Sequence, residues 1–187
     1  MDAELPRGTI VTEVPVRVFF DGACEPPKGG GIATYGFTLE GPGLEHEEFG
    51  LAVPPGSDRA TNNVAEYVGA IRALEFLASI EYHGPVLVFG DSQLVVRQLS
   101  GEYEVRAEHL RPYHEHLRAL VARIGDVQFS WVPREENQRA DELSKRAIAE
   151  AHQDAALRTR NSRREGRTLL ANAPDGAPSD GPDGPRR

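Results

Sequence analysis

The hydrophobic period of the sequence changes near residue 62, and this change restricts the fold more than any other feature. Before it, apolar residues occupy alternate positions in 14–21 and 33–39, and 47–53 follows the turn sequence GPG as a third segment of this kind. Such alternation predicts β-strands with one buried face. After it, apolar residues recur at three- and four-residue intervals over 62–80, which predicts an amphipathic helix. The chain therefore opens with three strands and continues with a helix.

The second half of the chain alternates between the two kinds of element. Residues 85–89 are continuously apolar, which is typical of a central strand buried on both faces. Alternation over 127–131 predicts the last strand and places its tryptophan in the core. The helical period predicts helices around 94–99, 107–124 and 141–151. The order β-β-β-α-β-α-α-β-α predicts an α/β fold with a mixed five-stranded sheet and helices on both faces.

Composition divides the chain into three parts. The 187 residues suffice for one ordinary domain, which we place at 14–151. Residues 1–13 are expected to form a flexible leader. Residues 152–187 are rich in Arg, Pro, Gly and Asp and poor in apolar residues, so they are expected to form a disordered tail.

Charge and cysteine content exclude several classes of protein. The net charge of −8 argues against broad electrostatic adhesion to nucleic acid or to an anionic membrane, although a site that brings its own divalent cations is compatible with it. The single cysteine excludes an intrachain disulfide and a multi-cysteine zinc site. There is no apolar run of membrane-spanning length and no signal-peptide pattern, so we expect a cytoplasmic protein without membrane association.

Four carboxylates stand at the ends of predicted elements. Asp21 follows the first strand and Asp91 the central strand, while Glu66 lies early in the long helix and Asp141 opens the last helix. Because sites in α/β sheets gather at the carboxyl ends of strands, we expect these four acids to converge.

Each acid also has a structural alternative. Asp91 could cap the helix that follows it, and Glu66 could form a capping box with Asn63. Asp141 could be a first-turn acid favoured by the helix dipole, and Asp21 could belong to an Asp-Gly turn. Four separate explanations are required if the acids do not act together.

The four contexts FDGAC, TNNVAEY, GDSQLV and NQRADELS occur in an order that resembles type I ribonuclease H, and the resemblance covers 14–151. It implies an active endonuclease that hydrolyses the RNA strand of RNA/DNA hybrids and leaves 3′-hydroxyl and 5′-phosphate ends. The metal-binding acids it implies are Asp21, Glu66, Asp91 and Asp141. Asp21 would bridge two Mg²⁺ ions, with Mn²⁺ as the alternative metal, and Asp141 would be the most loosely bound ligand.

The chemistry of phosphodiester hydrolysis fits such a cluster. Two divalent cations about 3.5–4 Å apart can activate the attacking water and stabilise the leaving oxygen. Magnesium prefers hard oxygen ligands such as carboxylates. Without metal, closely packed acids repel one another, so the empty site should be electrostatically strained.

The resemblance also implies substrate-binding residues. Gly22, Ala23 and Cys24 would approach the RNA backbone, Thr61 would hold a DNA phosphate, and Asn62, Asn63 and Gln93 would read the minor groove. Helix capping is the alternative for Thr61 and the asparagines, packing for Cys24, and a solvated face for Gln93.

The chain departs from the familiar bacterial form in two places. The segment SGEYEVRAEHLRPY lacks a basic protrusion, as in archaeal and some bacterial members, which predicts weak hybrid binding with a strong salt dependence. Many members carry a histidine in the loop before the last helix, proposed to aid proton transfer or product release, but the corresponding loop VPREENQRAD contains none. Either Arg134, Glu135, Glu136 or Asn137 substitutes for it, or the role is absent. The arginines between Arg158 and Arg167 are either a compensating arm or part of a solvated tail.

Three functional hypotheses follow. The leading one is a metal-dependent ribonuclease H that acts as a monomer on RNA/DNA hybrids without an obligatory protein partner. The second keeps the fold and the metals but changes the substrate to double-stranded RNA or a DNA junction. The third is a hybrid-binding module without catalysis, which the four intact acids disfavour because like charges would repel a phosphate backbone.

Overall fold

The computed structural model describes residues 14–26 and 30–171, with side chains as far as residue 156. The predicted leader, 1–13, and the end of the predicted tail, 172–187, lie outside the described residues. The predicted fold class is confirmed, because the described chain forms a mixed five-stranded sheet with four α-helices. Among these helices, none is long and apolar enough to cross a lipid bilayer.

The sheet contains two antiparallel and two parallel pairings. Its strands are β1 (Val16–Glu25), β2 (Ile32–Gly41), β3 (Leu44–Leu51), β4 (Val86–Gly90) and β5 (Val127–Trp131). They lie in the order β3-β2-β1-β4-β5, with β1, β2 and β3 antiparallel and β1, β4 and β5 parallel. The neighbours β1 and β4 therefore run in the same direction, and their pairing ends at Phe19 and Phe89.

Strand β1 is longer than predicted. It continues past Asp21 to Glu25, because residues 21–25 keep their antiparallel pairing with β2 after the parallel pairing with β4 has ended. Asp21 and Gly22 are paired with Gly36 and Tyr35, so the Asp-Gly turn considered for Asp21 is wrong. Asp21 instead lies two residues beyond the last β1–β4 pair. This is the edge of the sheet at which the four acids were predicted to converge.

The helices are α1 (Asn62–Ser79), α2 (Gln93–Leu99), α3 (Arg111–Ile124) and α4 (Gln138–Ala171), with 3-10 turns at Glu108–Leu110 and Arg134–Glu136. Thr61 caps α1, since its Oγ1 accepts a hydrogen bond of 3.3 Å from the backbone N–H of Val64. The predicted boundaries of α1 and α2 therefore agree closely with the structure.

Helices cover both faces of the sheet. On one face, Val18 and Phe20 of β1 and Phe37 of β2 are fully buried in the core that α1 shares. Asp21 points to the opposite face because successive side chains of a strand alternate. There α4 packs against β2, and a Cβ on Gly36 would lie only 2.6 Å from the Cβ of Leu143. Gly36 thus allows α4 to approach the strand opposite Asp21.

Two expectations differ from the structure. Helix α4 continues to Ala171, whereas disorder was expected from 152; the segment 152–171 contains no proline and many residues that favour helix formation. The chain divides into two units, Met1–Ala151 and His152–Arg187.

Trp131, expected in the core, is 44% exposed because it ends the edge strand β5.

Candidate active site

Three of the predicted acids converge at the edge of the sheet. One carboxylate oxygen from each of Asp21, Glu66 and Asp91 lies within 4.8 Å of the others. Asp21 comes from β1, and Asp91 follows the last residue of β4. The parallel pairing of these two strands therefore brings the two aspartates to the same place, as the sequence predicted.

A close approach of α1 to β1 brings in the third acid. A Cβ on Gly22 would lie 2.1 Å from the backbone nitrogen of Glu66, so only glycine permits this approach. The backbone N–H of Gly22 also donates a hydrogen bond to Glu66. Glycine at position 22 is thus a requirement of the site's assembly.

The structural alternatives fail for two of these acids. The cap of α2 is Ser92, so Asp91 does not cap that helix. The cap of α1 is Thr61, which places Val64 rather than Glu66 at the capping-box position. For Asp141 the structural alternative is confirmed, since Asp141 lies in the first turn of α4, and the metal-binding role stays a prediction.

The fourth acid lines the same cleft but is held by two cations. The guanidinium of Arg134 and the ammonium of Lys145 both bind the carboxylate of Asp141, the latter at 2.6 Å between Nζ and Oδ2. Burial raises the pKa of Asp141, but the hydrogen bonds from Lys145 and Arg134 outweigh it and hold the pKa below its ordinary value. Asp141 is therefore ionised and ion-paired.

Asp21 and Glu66, two of the three converging acids, have the opposite electrostatics. Burial raises the pKa of Asp21 to about 6, and repulsion from Asp91 and Asp141 adds to this, while a hydrogen bond from Ser144 opposes it. Burial and the charges of Asp21 and Asp91 raise the pKa of Glu66 well above its ordinary value. The cluster is thus strained, as expected for buried carboxylates whose burial and mutual repulsion the charge of Arg134 only partly offsets.

A divalent cation fits this cluster. The Oε2 atom of Glu66 is buried and has no hydrogen-bond partner among the described residues. Hard carboxylate oxygens on three sides are ligands that Mg²⁺ and Mn²⁺ accept. Asp21, Glu66 and Asp91 could therefore hold one ion, and Asp141 together with Asp21 could hold another after exchange of its cations.

The acids lie in an open cleft of about 540 Å³, and much of the predicted substrate set lines it. The predicted residues in its lining, besides the acids, are Gly22, Ala23, Cys24, Asn62, Asn63 and Arg134. Burial raises the pKa of the Cys24 thiol, which donates to the carbonyl oxygen of Ala60 at 3.2 Å, in keeping with a packing role.

Three predicted substrate residues are not in this lining. Thr61 serves as the helix cap, as its structural alternative proposed, and Gln93 is exposed at the start of α2. Asn137 is only 1% exposed, and its Nδ2 donates to the carbonyl oxygen of Phe20 at 2.9 Å. Such a side chain does not meet a substrate, which corrects the expectation for Asn137: it ties the loop before α4 to β1.

Sequence reasoning missed two residues at the site. Lys145 follows Asp141 by four positions, a spacing that places both on one helix face, so its ion pair could have been predicted. Ser144 binds Asp21, which is 123 positions away, and no local pattern indicates that contact.

Comparison with known proteins identifies a family model and relatives that this chain resembles. A family model described as reverse transcriptase-like matches residues 48–147. Ribonuclease HI of Halobacterium salinarum is 36% identical over 73% of this chain and 65% of its own length. Ribonuclease H of Rhodospirillum rubrum is 30% identical over 78% of this chain and 90% of its own length.

A mycobacterial relative is much longer. The bifunctional protein Rv2228c of Mycobacterium tuberculosis is 38% identical over 52% of this chain, but the match spans only 27% of that relative. The chain therefore corresponds to about a quarter of the length of the mycobacterial proteins it matches.

Solved structures share the fold. The crystal structure of RNase H1 from Halobacterium salinarum has a TM-score of 0.62 at 35% identity and covers 73% of this chain and 98% of its own. LC11-RNase H1, solved in complex with an RNA/DNA hybrid, has a TM-score of 0.64 at 33% identity with the same coverage. With this fold in common and 30% and 36% identity to two named ribonucleases H, the chain belongs to the ribonuclease H family.

Proposed function

We propose that this protein hydrolyses the RNA strand of RNA/DNA hybrids internally, with two divalent cations, Mg²⁺ or Mn²⁺, and leaves 3′-hydroxyl and 5′-phosphate ends. The observation that carries the proposal is the convergence of Asp21, Glu66 and Asp91 within 4.8 Å at the edge of the sheet. The hybrid bound by LC11-RNase H1, a relative of the same fold, supports the choice of substrate.

Each acid has a distinct part in this proposal. When bound, the two cations supply an activated water and stabilise the leaving oxygen. Asp21 would contribute to both metal positions, Glu66 and Asp91 would complete the first, and Asp141 would complete the second. The raised pKa values of Asp21 and Glu66 reflect buried negative charge that such cations would neutralise.

Arg134 adds a positive charge at the mouth of the cleft. Its side chain is 65% exposed while its guanidinium binds the carboxylate of Asp141. A guanidinium in this position can turn from the carboxylate toward a phosphate oxygen, since it binds both groups in the same geometry. We assign it the role of orienting the substrate phosphate in a loop that contains no histidine.

Recognition of the hybrid is assigned to other residues that line the cleft. Gly22, Ala23 and Cys24 lie beside the acids and approach the RNA backbone, while Asn62 and Asn63 at the start of α1 face the same opening. Their amides can donate to sugar and base edges in the minor groove, where the 2′-hydroxyl distinguishes RNA from DNA. Thr61 and Gln93, on adjoining turns, would contact phosphate and minor groove farther from the cut.

A single experiment tests this function. One labelled strand is presented as RNA/DNA, RNA/RNA, DNA/DNA and single-stranded RNA, each with Mg²⁺, Mn²⁺ or EDTA. We expect internal cuts only in the RNA of the hybrid and only with metal. Equal cutting of RNA/RNA would replace the hybrid by a wider substrate class, and folded protein that cuts none of the four would contradict the enzymatic proposal.

A further inference from the structure

Ser144 of α4 contacts the site from outside the acid cluster. We propose that Ser144 is a positioning residue whose hydroxyl fixes the carboxylate of Asp21 in the orientation that binds metal. The inference rests on the proposed function, because it requires Asp21 to be a metal ligand.

The hydroxyl of Ser144 is committed to Asp21 by its surroundings. Ser144 is 0% exposed and Asp21 is 5% exposed, and the Ser144 Oγ donates a hydrogen bond to the Oδ2 of Asp21. The carbonyl oxygen of Asp141 also lies 2.9 Å from this Oγ. Because a hydroxyl has one proton and an ionised carboxylate is the stronger acceptor, the proton belongs to Asp21 when it is charged.

The backbone that carries this hydroxyl is held against the sheet. The buried Oγ1 of Thr34 in β2 donates to the carbonyl oxygen of Ser144 at 2.8 Å. Gly36, which pairs with Asp21 across β1 and β2, would place a Cβ 2.6 Å from the backbone nitrogen of Ser144. Helix α4 is therefore docked directly opposite Asp21, and the Ser144 hydroxyl has a fixed position relative to it.

Asp21 needs such a partner more than Asp141 does. The neighbouring charges at Asp21 include Asp91 and Asp141, which repel it, and water reaches little of its carboxylate. Asp141 is held by Arg134 and Lys145, whose side chains are 65% and 59% exposed and can exchange for a metal ion. Ser144 is buried and its hydroxyl carries no charge that would compete with a cation, so it can orient Asp21 both before and after metal binds.

The general consequence of such a contact is known. A hydrogen bond to a metal ligand fixes the ligand's rotation, and its loss typically weakens metal affinity about 10–100-fold. Loss of the Ser144 hydroxyl should thus weaken metal binding without removing any ligand. An effect of this size would not follow if the serine only packed the helix.

The test is metal binding by the folded, chelator-treated full chain. Free Mn²⁺ is counted by electron paramagnetic resonance during titration, well below the melting temperature. We expect Ser144→Ala to raise the Kd for Mn²⁺ about tenfold or more. Ser144→Cys, which keeps a weak donor of similar size, should give a smaller increase.

A matched control separates the hydroxyl from the docking of the helix. Thr34→Val removes the bond to the carbonyl of Ser144 but leaves its hydroxyl in place. We expect it to lower the melting temperature while the Kd for Mn²⁺ stays within twofold of wild type. If Thr34→Val weakens Mn²⁺ binding as much as Ser144→Ala, helix docking is responsible and the positioning role is overturned.

The remaining outcomes distinguish this inference from the proposed function. If the wild type binds Mn²⁺ and Ser144→Ala binds it with the same Kd, the positioning role alone is overturned. Failure of the wild type to bind Mn²⁺, or binding by Asp21→Asn with wild-type affinity, overturns the metal-dependent function and this inference with it.

Discussion

Among the single residues, Asp21 lowers the stability of the metal-free protein at neutral pH, because its carboxylate is buried beside other acids. Burial and the neighbouring acids raise its pKa to about 6 from an ordinary value of 3.8. Between those values the folded, metal-free protein binds more protons than the unfolded chain does. The stability contributed by Asp21 is therefore present at low pH and is lost as the pH rises toward 6.

Asp21→Asn should for this reason stabilise the metal-free protein at pH 7. The shift from 3.8 to about 6 corresponds to a gain of roughly 2–3 kcal/mol at most in the free energy of unfolding. Urea unfolding in EDTA at pH 7 and pH 4.5 measures it, and the gain should shrink at the lower pH. Asp58→Asn, at an exposed aspartate, controls for the loss of a surface charge. A gain that is absent at pH 7, or equal at both pH values, contradicts the electrostatic account.

The acids could be predicted from the sequence because each stands beside a strand end or in the first turns of a helix. Those positions depend on local periodicity and on the rule that parallel strands share an edge. The burial of Asn137 and the exposure of Trp131 could not be predicted, since they depend on which neighbours cover each side chain. The bond from Ser144 to Asp21 likewise joins residues that only the tertiary fold brings together.

At the scale of elements, the site depends on how closely α1 and α4 approach the sheet. Each helix meets a glycine, Gly22 for α1 and Gly36 for α4. Gly22 directly follows Asp21 in β1, and Gly36 is the residue of β2 that pairs with Asp21. The helix that carries Glu66 and the helix that carries Asp141 are both positioned by the absence of a side chain.

Gly22→Ala should separate α1 from β1. The added Cβ would meet backbone atoms of Ala65 and Glu66, which cannot rotate away, so we expect a loss of about 3 kcal/mol or more. Gly101→Ala is the matched control, because it meets nothing within 4 Å and is penalised only by its φ of +84°, at about 1 kcal/mol. Equal unfolding free energies for the two variants, measured in urea, would be inconsistent with the close approach.

Element boundaries were predictable where periodicity and caps agree, as at α1. The boundaries were not predictable where only strand pairing or helix propensity determines the end of the element. Strand β1 extends to Glu25 because β2 accompanies it, and no alternation marks those residues. Helix α4 extends to Ala171, whereas the composition argument considered only how much apolar surface the segment could bury and not its helix propensity.

At the scale of the whole molecule, charge opposes the proposed substrate. The chain carries a net charge of −8 and lacks a basic protrusion, while five of its arginines lie between Arg158 and Arg167. Hybrid affinity should therefore be low, and the slope of log Kd against log salt should follow the number of phosphates that the arginines neutralise. The two units of the chain make the contribution of those arginines separable.

Removal of 152–187 tests that contribution. If the arginines act as an arm, we expect hybrid affinity to fall several-fold at low salt, with a shallower dependence of log Kd on log salt and an unchanged kcat. Fluorescence anisotropy of a labelled hybrid, from about 50 to 300 mM salt, measures both quantities. Identical affinity and slope for the two proteins would assign the segment to a solvated tail.

The most direct test of the central claim uses Asp91→Asn, which changes one member of the converging triad without changing its size. Hybrid cleavage and hybrid binding are measured on the same preparations, with the wild type beside it. An enzyme that uses these acids to hold metal should lose cleavage by about a thousandfold or more, about 4 kcal/mol in activation free energy, yet still bind the hybrid. Cleavage that persists at the wild-type rate, or a wild type that binds the hybrid and never cuts it, would contradict the account.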